Sequence, residues 1–158
     1  MFTIFFDMDG TLAGLYDVPH WLSKLRAYDP SPYKEANTMH NMSHLARLLN
    51  KLQATGFISL GIISALSKES TPQYDEAVKL EKRLWLNKHL RSVHWDVIHF
   101  IPYDTPKAMF ATTAGDILFD DVPHIRHDWN IACPYGGAYD QDEIFKVLKE
   151  LISMYATA

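Results

Sequence analysis

The chain has a single cysteine, Cys133, so no disulfide can form within it, and a reducing cytosol is the compartment to expect. It also lacks a long apolar run. The amino terminus, MFTIFFDMDG, is apolar only as far as Phe6 and then meets two acids. That is too short for a signal peptide or a membrane span, and no later run approaches the roughly 20 residues a span needs. Positive charge is not in excess: 15 Lys and Arg against 19 Asp and Glu give a formal net charge of -4. Such a surface does not attract nucleic-acid phosphates at long range and leaves only a local basic patch for that class of partner. No internal repeat or low-complexity stretch interrupts the chain, and no two of its 8 histidines form a metal-ligating pair on one helix. These absences argue against a disulfide scaffold, a membrane protein and a broadly basic nucleic-acid binder.

What remains is an ordinary globular composition, 47% hydrophobic and 22% charged over 158 residues, enough for one domain with a proper core. Apolar runs bounded by turn signals alternate with amphipathic segments, the pattern of a parallel α/β sheet. The runs are Phe2 to Phe6, Phe57 to Ile63, about Trp95 to Ile101, and Ile117 to Phe119, with Ile131 to Cys133 as a short edge strand. Their near-continuous apolar character predicts strands covered on both faces. Between them the spacing predicts a helix over 42–52 ending near Gly56. A second covers 74–90, with Ala77, Leu80, Leu84 and Trp85 inward, and a terminal helix covers 143–155. The expected fold is therefore a three-layer α/β sandwich with a central parallel sheet, Rossmann-like. Residues 14–40, with Pro30, Pro32 and several aromatics, read as a small, partly helical insertion after the first strand.

In open parallel sheets the ligand site lies beyond the carboxyl ends of the strands. Here those ends carry Asp7 with Asp9, Ser64, the loop from Pro102 to Lys107, and the pair Asp120–Asp121. Parallel strands would bring four carboxylates, a hydroxyl and a lysine to one crevice. Carboxylates that close repel one another and call for a cation, and an oxygen-only ligand set suits a hard one, magnesium first. A carboxylate can attack phosphorus to form an aspartyl-phosphate, and a second carboxylate two residues on can protonate the leaving oxygen and later deprotonate water. Lysine and hydroxyl donors can hold the transferred phosphoryl oxygens.

Asp7-Met8-Asp9-Gly10-Thr11-Leu12 after an apolar strand resembles the first motif, DxDGT, of the haloacid-dehalogenase (HAD) superfamily. Ser64 in LGIIS resembles the second motif, Lys107 in YDTPK the third, and DILFDD, ending in Asp120 and Asp121, the fourth. The resemblance spans essentially the whole chain, 1–158. It implies Asp7 as nucleophile and magnesium ligand. Asp9 would be acid/base and a ligand through its carbonyl, and Thr11 and Ser64 phosphoryl contacts. Lys107 would stabilise the phosphoryl group and Asp7, while Asp120 and Asp121 complete the metal set. An aspartate at the second position of DxD is the phosphatase or phosphomutase form. KLEKRLWLNKHL, IHFIPYDTPK and LFDDVPHIRHDW are similar to the 5'(3')-deoxyribonucleotidase-like branch and its phage and bacterial relatives, although residues 13–56 leave room only for a reduced cap, about 14–40, between the first two motifs.

Plainer readings stand beside these. Asp7 and Asp9 also suit a strand-end turn with a helix N-cap, Ser64 an incidental serine, and Lys107 a solvated lysine with Lys68 as rival. Asp116 is expected to open the fourth strand and not to bind metal. His124 and His127 are expected on a helix surface, and Cys133 as a small buried residue. Tyr16, His20, Trp21, Arg26, Tyr28, Tyr33 and Lys34 in the insertion suit either a lid over the site or a satellite core in which Trp21, Leu22 and Leu25 pack. The expected activity is magnesium-dependent hydrolysis of a small-molecule phosphate ester, with nucleoside 5'-monophosphates first to try. The alternatives are a larger phosphorylated substrate such as a nucleic-acid end, transfer to an acceptor other than water, or a non-catalytic binding module of the same fold.

Overall fold

A computed structural model describes residues 1–156; positions 157 and 158 of the expected domain lie outside the described residues. Five parallel strands form one sheet in the order β3-β2-β1-β4-β5, with β1 at Phe2–Phe6, β2 at Ile58–Ala65, β3 at Val97–Ile101, β4 at Ile117–Phe119 and β5 at Gly137–Tyr139. The six α-helices are α1 (Trp21–Arg26), α2 (Ser31–Glu35), α3 (Met42–Gln53), α4 (Pro72–His89), α5 (Pro123–Ala132) and α6 (Ile144–Tyr155). The α/β sandwich with a parallel central sheet is as expected.

Alternation along the strands divides the core. Ile4, Phe6, Leu60, Ile62, Ile117 and Phe119 point to one face, against Leu45 and Leu49 of α3, Trp85 and Leu86 of α4 and Leu148 of α6. Phe5, Ile63 and Leu118 point to the other, where Trp129 of α5 and Cys133 close the layer. With both faces of β1, β2 and β4 covered, these strands read as near-continuous apolar runs, whereas the edge strands β3 and β5 are only partly buried. Local chemistry starts the helices. The Asn41 side chain accepts from the His44 N–H and Thr71 from the Tyr74 N–H, and Pro72 opens α4 where its missing N–H costs nothing.

Three expectations need correction. Ile131–Cys133 is not a strand: Ile131 and Ala132 end α5, Cys133 is its C-cap, and the edge strand is Gly137–Tyr139. The apolar triplet is short enough to suit either period, and the buried Trp129 fixes it as helix. The third strand starts at Val97, because the Asp96 carboxylate instead accepts from the Leu60 N–H and turns the chain into the sheet. In α4 the inward face is Tyr74, Val78, Lys82, Trp85 and Leu86, whereas Leu80 and Leu84 are 56% and 51% exposed. A lysine on the buried stripe disguised the true phase of the helix.

The chain runs from β1 outward to β3, then returns to place β4 and β5 on β1's other side, so the order switches between β1 and β4. Ligands bind at such a switch point, beyond the carboxyl ends of the strands.

Candidate active site

Register builds the centre of this crevice. Phe6 lies beside Phe119, and the ladder continues one step further, with the Asp7 N–H donating to the Phe119 carbonyl at 2.9 Å and the Asp120 N–H to the Tyr139 carbonyl at 3.0 Å. Asp7 and Asp120 therefore emerge side by side from adjacent strand ends, as neighbouring strands lie only about 4.8 Å apart. After Asp7 the chain turns back on itself, the Thr11, Leu12 and Ala13 N–H groups all donating to the Met8 carbonyl. Met8 and Leu12 are buried in the core, which leaves Asp7, Asp9 and Thr11 for the crevice. Gly10 makes the turn possible: its φ is +82°, and a Cβ there would collide with the Asp121 carboxylate and the Tyr16 ring.

Asp7, Asp120 and Asp121 each present a carboxylate oxygen within 4.8 Å of the others. Thr11 Oγ1 lies 3.1 Å from Asp7 Oδ2 and 3.3 Å from Asp121 Oδ1, and Lys107 Nζ donates to Asp7 Oδ1 at 2.9 Å and to Asp120 Oδ2 at 2.6 Å. Lys107 opens a short 3-10 turn, Lys107–Phe110, and is buried. The rival, Lys68, lies at the cavity wall with its Nζ 6.0 Å from the Tyr103 ring centre. Asp116 immediately precedes β4 at the opposite end of the strand and is not among the clustered acids. His124 and His127 are exposed on α5, and neither belongs to the cluster; His124 lines the outer cavity.

The electrostatics follow from crowding in a dry place. Burial, with Asp7 as neighbour, pushes Asp120 up to about 6 despite the opposing Lys107. Burial and Asp7 push Asp121 up to about 7. Burial also raises Asp9, against the lowering pull of Lys82, even though 14% of the Asp9 side chain stays accessible. For Lys107 burial works against the charge, but Asp7 and Asp120 outweigh it and hold the ammonium above its usual range. One lysine is thus too little cation for three acids. Magnesium with oxygen ligands at about 2.1 Å sets cis ligands about 3 Å apart and trans ligands about 4.2 Å apart. The Asp7, Asp120 and Asp121 oxygens, all within 4.8 Å of one another, lie close to that spacing and are the residues that could hold one hard divalent ion.

Lys82 is the residue missed by sequence reasoning. It sits on α4, is 1% exposed, and its Nζ donates to Ser64 Oγ at 2.6 Å, the Ala65 carbonyl at 2.8 Å and Asp9 Oδ2 at 3.0 Å. The available signal was positional: Lys82 lies four residues after Val78 and three before Trp85, in register with the buried stripe. Ser64 is inside β2 rather than past its end, and is fully buried.

A cavity of about 770 Å³ opens above these groups, within the size range of small-molecule sites. Its floor is the acid cluster and Lys107, and its walls include Leu15, Tyr16, Trp21, Leu25, Tyr33 and Tyr103. The insertion behaves as two halves. Tyr33 of α2 is buried with Leu15, Tyr74 and Val78, its hydroxyl 2.9 Å from Ser67 Oγ, while Tyr74 Oη donates to the Asp29 carbonyl. By contrast α1 buries no residue, and Leu22 is 42% exposed. The satellite core exists, built around Tyr33 and Leu15; Trp21 is only partly buried, its ring edge-on to Tyr16 at 4.9 Å.

No protein-family model matches the chain, and no curated protein sequence does so either. Among solved structures it is similar to D,D-heptose 1,7-bisphosphate phosphatase from Burkholderia thailandensis, with 97% of this chain and 99% of that one covered, a TM-score of 0.54 and 10% identity. At that identity the likeness is one of fold alone, a parallel α/β sandwich of Rossmann-like type, over nearly the whole length of both chains.

Proposed function

We propose that this chain is a magnesium-dependent phosphomonoester hydrolase that works through an aspartyl-phosphate on Asp7. The observation that carries the reading is the floor of the cavity. Asp7, Asp120 and Asp121 face one another within 4.8 Å, and Lys107 bridges Asp7 and Asp120. A fold has no use for such repulsion, and a binding module without chemistry has no need of a buried nucleophile beside it.

In this scheme Asp7, Asp120 and Asp121 would hold the magnesium ion, with the Asp9 carbonyl as a further ligand, and the bound ion would neutralise the acids and withdraw charge from the phosphoryl oxygens. Asp7 attacks phosphorus, forming the Asp7 O–P bond as the ester P–O bond breaks. Asp9 gives its proton to the departing alkoxide and so becomes a carboxylate. Lys107 fixes the attacking oxygen and, with Thr11 and Ser64, holds the transferred oxygens. Asp9 then takes a proton from water as that water attacks the phosphoaspartate, releasing inorganic phosphate and restoring both carboxyl groups. The raised pKa of Asp9 supports the donor role, since it keeps a proton available closer to neutrality.

Nucleoside 5'-monophosphates are the first substrate class to test, because the cavity above the acids is walled by Tyr16, Trp21 and Tyr103, rings on which a base can stack. The structural neighbour's name adds sugar phosphates to the panel. A nucleic-acid end stays in the panel as the alternative, since the outer cavity mixes acids (Glu69, Asp104, Asp128) with cations (Arg26, Lys68). The test is phosphate release from a panel of mononucleotides, sugar phosphates and phosphorylated oligonucleotides, with and without magnesium, alongside Asp7→Asn. Release that needs both magnesium and Asp7, fastest on mononucleotides, is expected. No Asp7-dependent release from any member would end the phosphatase reading.

A further inference from the structure

We propose that Lys82 is a positioning residue that holds Asp9 and Ser64 in their working orientations, so that its loss damages protonation of the leaving group more than phosphoryl binding. The inference rests on the phosphatase reading.

Lys82 is in an expensive place. It occupies the apolar stripe of α4 between Val78 and Trp85 and is 1% exposed, where an unpaired ammonium costs several kcal/mol and an aliphatic side chain would suit the fold better. An ammonium has three donors and no acceptor, and all three find partners: Ser64 Oγ, the Ala65 carbonyl and Asp9 Oδ2. None is left over for a phosphate oxygen. This separates Lys82 from Lys107, which sits between the nucleophile and Asp120.

The partners' remaining capacity is the point. Ser64 Oγ accepts from Lys82 at 2.6 Å, which leaves its own O–H free to act as a donor, the role a phosphoryl oxygen requires. Asp9 Oδ2 is occupied, so Oδ1 is the oxygen left to serve the leaving group. Lys82 thus ties the acid, 73 residues away in sequence, to the hydroxyl at 18 residues' separation. The rings of Tyr33 and Phe100 stand 5.1 and 6.0 Å from the ammonium and keep water from competing for its donors. Tyr33 belongs to the anchored half of the insertion, which gives that half a task besides packing.

The test compares two esters of nearly equal shape, p-nitrophenyl phosphate and benzyl phosphate. Nitrophenolate departs without a proton, whereas benzyl alkoxide needs one. Lys82→Met keeps length and apolar fit while removing the donors, and kcat/KM reports every step through departure of the alcohol. General acid catalysis is worth about 10²- to 10⁴-fold. Lys82→Met is therefore expected to lose at least about tenfold more kcat/KM on benzyl than on nitrophenyl phosphate, with KM shifting by less than about threefold on either. Lys82→Arg, which keeps donors in the same place, should recover part of the benzyl activity. Should Lys82→Met fail to fold by circular dichroism, Lys82→Gln is read in the same way. Equal losses on the two esters, or none, overturn the inference and leave the phosphatase reading intact. Failure of the wild type to hydrolyse either ester overturns both.

Discussion

The two ends of β4 carry a buried aspartate each, Asp116 before Ile117 and Asp120 after Phe119, and both are 0% exposed. Their chemistry is opposite. Asp116 accepts from the Thr3, Thr112 and Thr113 N–H groups and from both threonine hydroxyls, at 2.7 to 3.1 Å. Burial works against its charge, but these donors outweigh it and hold its carboxyl below the usual range. Asp120 accepts from one backbone N–H and from Lys107, but burial and the neighbouring Asp7 push it up to about 6. A buried carboxylate surrounded by neutral donors is a structural bolt, tying β1, β4 and the 112–116 turn together. One placed beside other carboxylates carries a repulsion that a bound cation would relieve, the pattern that marks a candidate site.

Four measurements can break or sharpen that contrast. The largest effect is expected at the clustered end: Asp7→Asn should lower phosphate release at least about 10⁴-fold. Its melting temperature without metal should stay level or rise, because a repulsive charge is gone. A fall in both would turn Asp7 into a structural residue. At the other end, Asp116→Ala should cost about 3 kcal/mol or more in urea unfolding, since it strands several buried donors, with kcat of the folded fraction within about twofold of wild type. Loss of activity without loss of stability would erase the distinction between the ends.

The third measurement is a thermal titration with magnesium. At 100-fold over its Kd an ion adds about 2.7 kcal/mol, a rise of about 5 to 10 °C for a chain of this length. Asp120→Asn should shrink that rise and Asp116→Asn should leave it alone. The smallest effect is in acid. Asp116 has a folded pKa below its unfolded value, so its contribution is present above the unfolded value of 3.8 and is lost as pH falls through the folded one. The stability gap between wild type and Asp116→Asn should therefore be constant from pH 7 to about 5 and close below about 4. A gap that instead closes between pH 6 and 7 would assign the titration to other groups.

Legibility of the sequence differed between these regions for a physical reason. At the clustered end the acids follow apolar runs, so Asp7, Asp9, Asp120 and Asp121 stood out once the strands were taken as parallel. The bolt at Asp116 was assigned correctly to the strand's start, but its threonine donors gave no sign of what they would hold. Periodicity placed α3 and α6 within a residue or two, and failed in α4, where a charged side chain on the inward face shifted the apparent stripe onto Leu80 and Leu84. It failed again at Ile131–Cys133, where three apolar residues satisfy either period until Trp129 finds its place.

By itself the sequence determined the parallel sheet, the order of its elements and the acids at its carboxyl edge, because strand length, apolar continuity and turn chemistry are local properties. Only the tertiary structure decided which carboxylates face one another, which lysine bridges Asp7 and Asp120, and that Lys82 clasps Asp9 and Ser64. The lysine contacts alone join residues 13 to 100 positions apart. Their geometry depends on strand register and on the packing phase of α4, which no window of neighbouring residues contains.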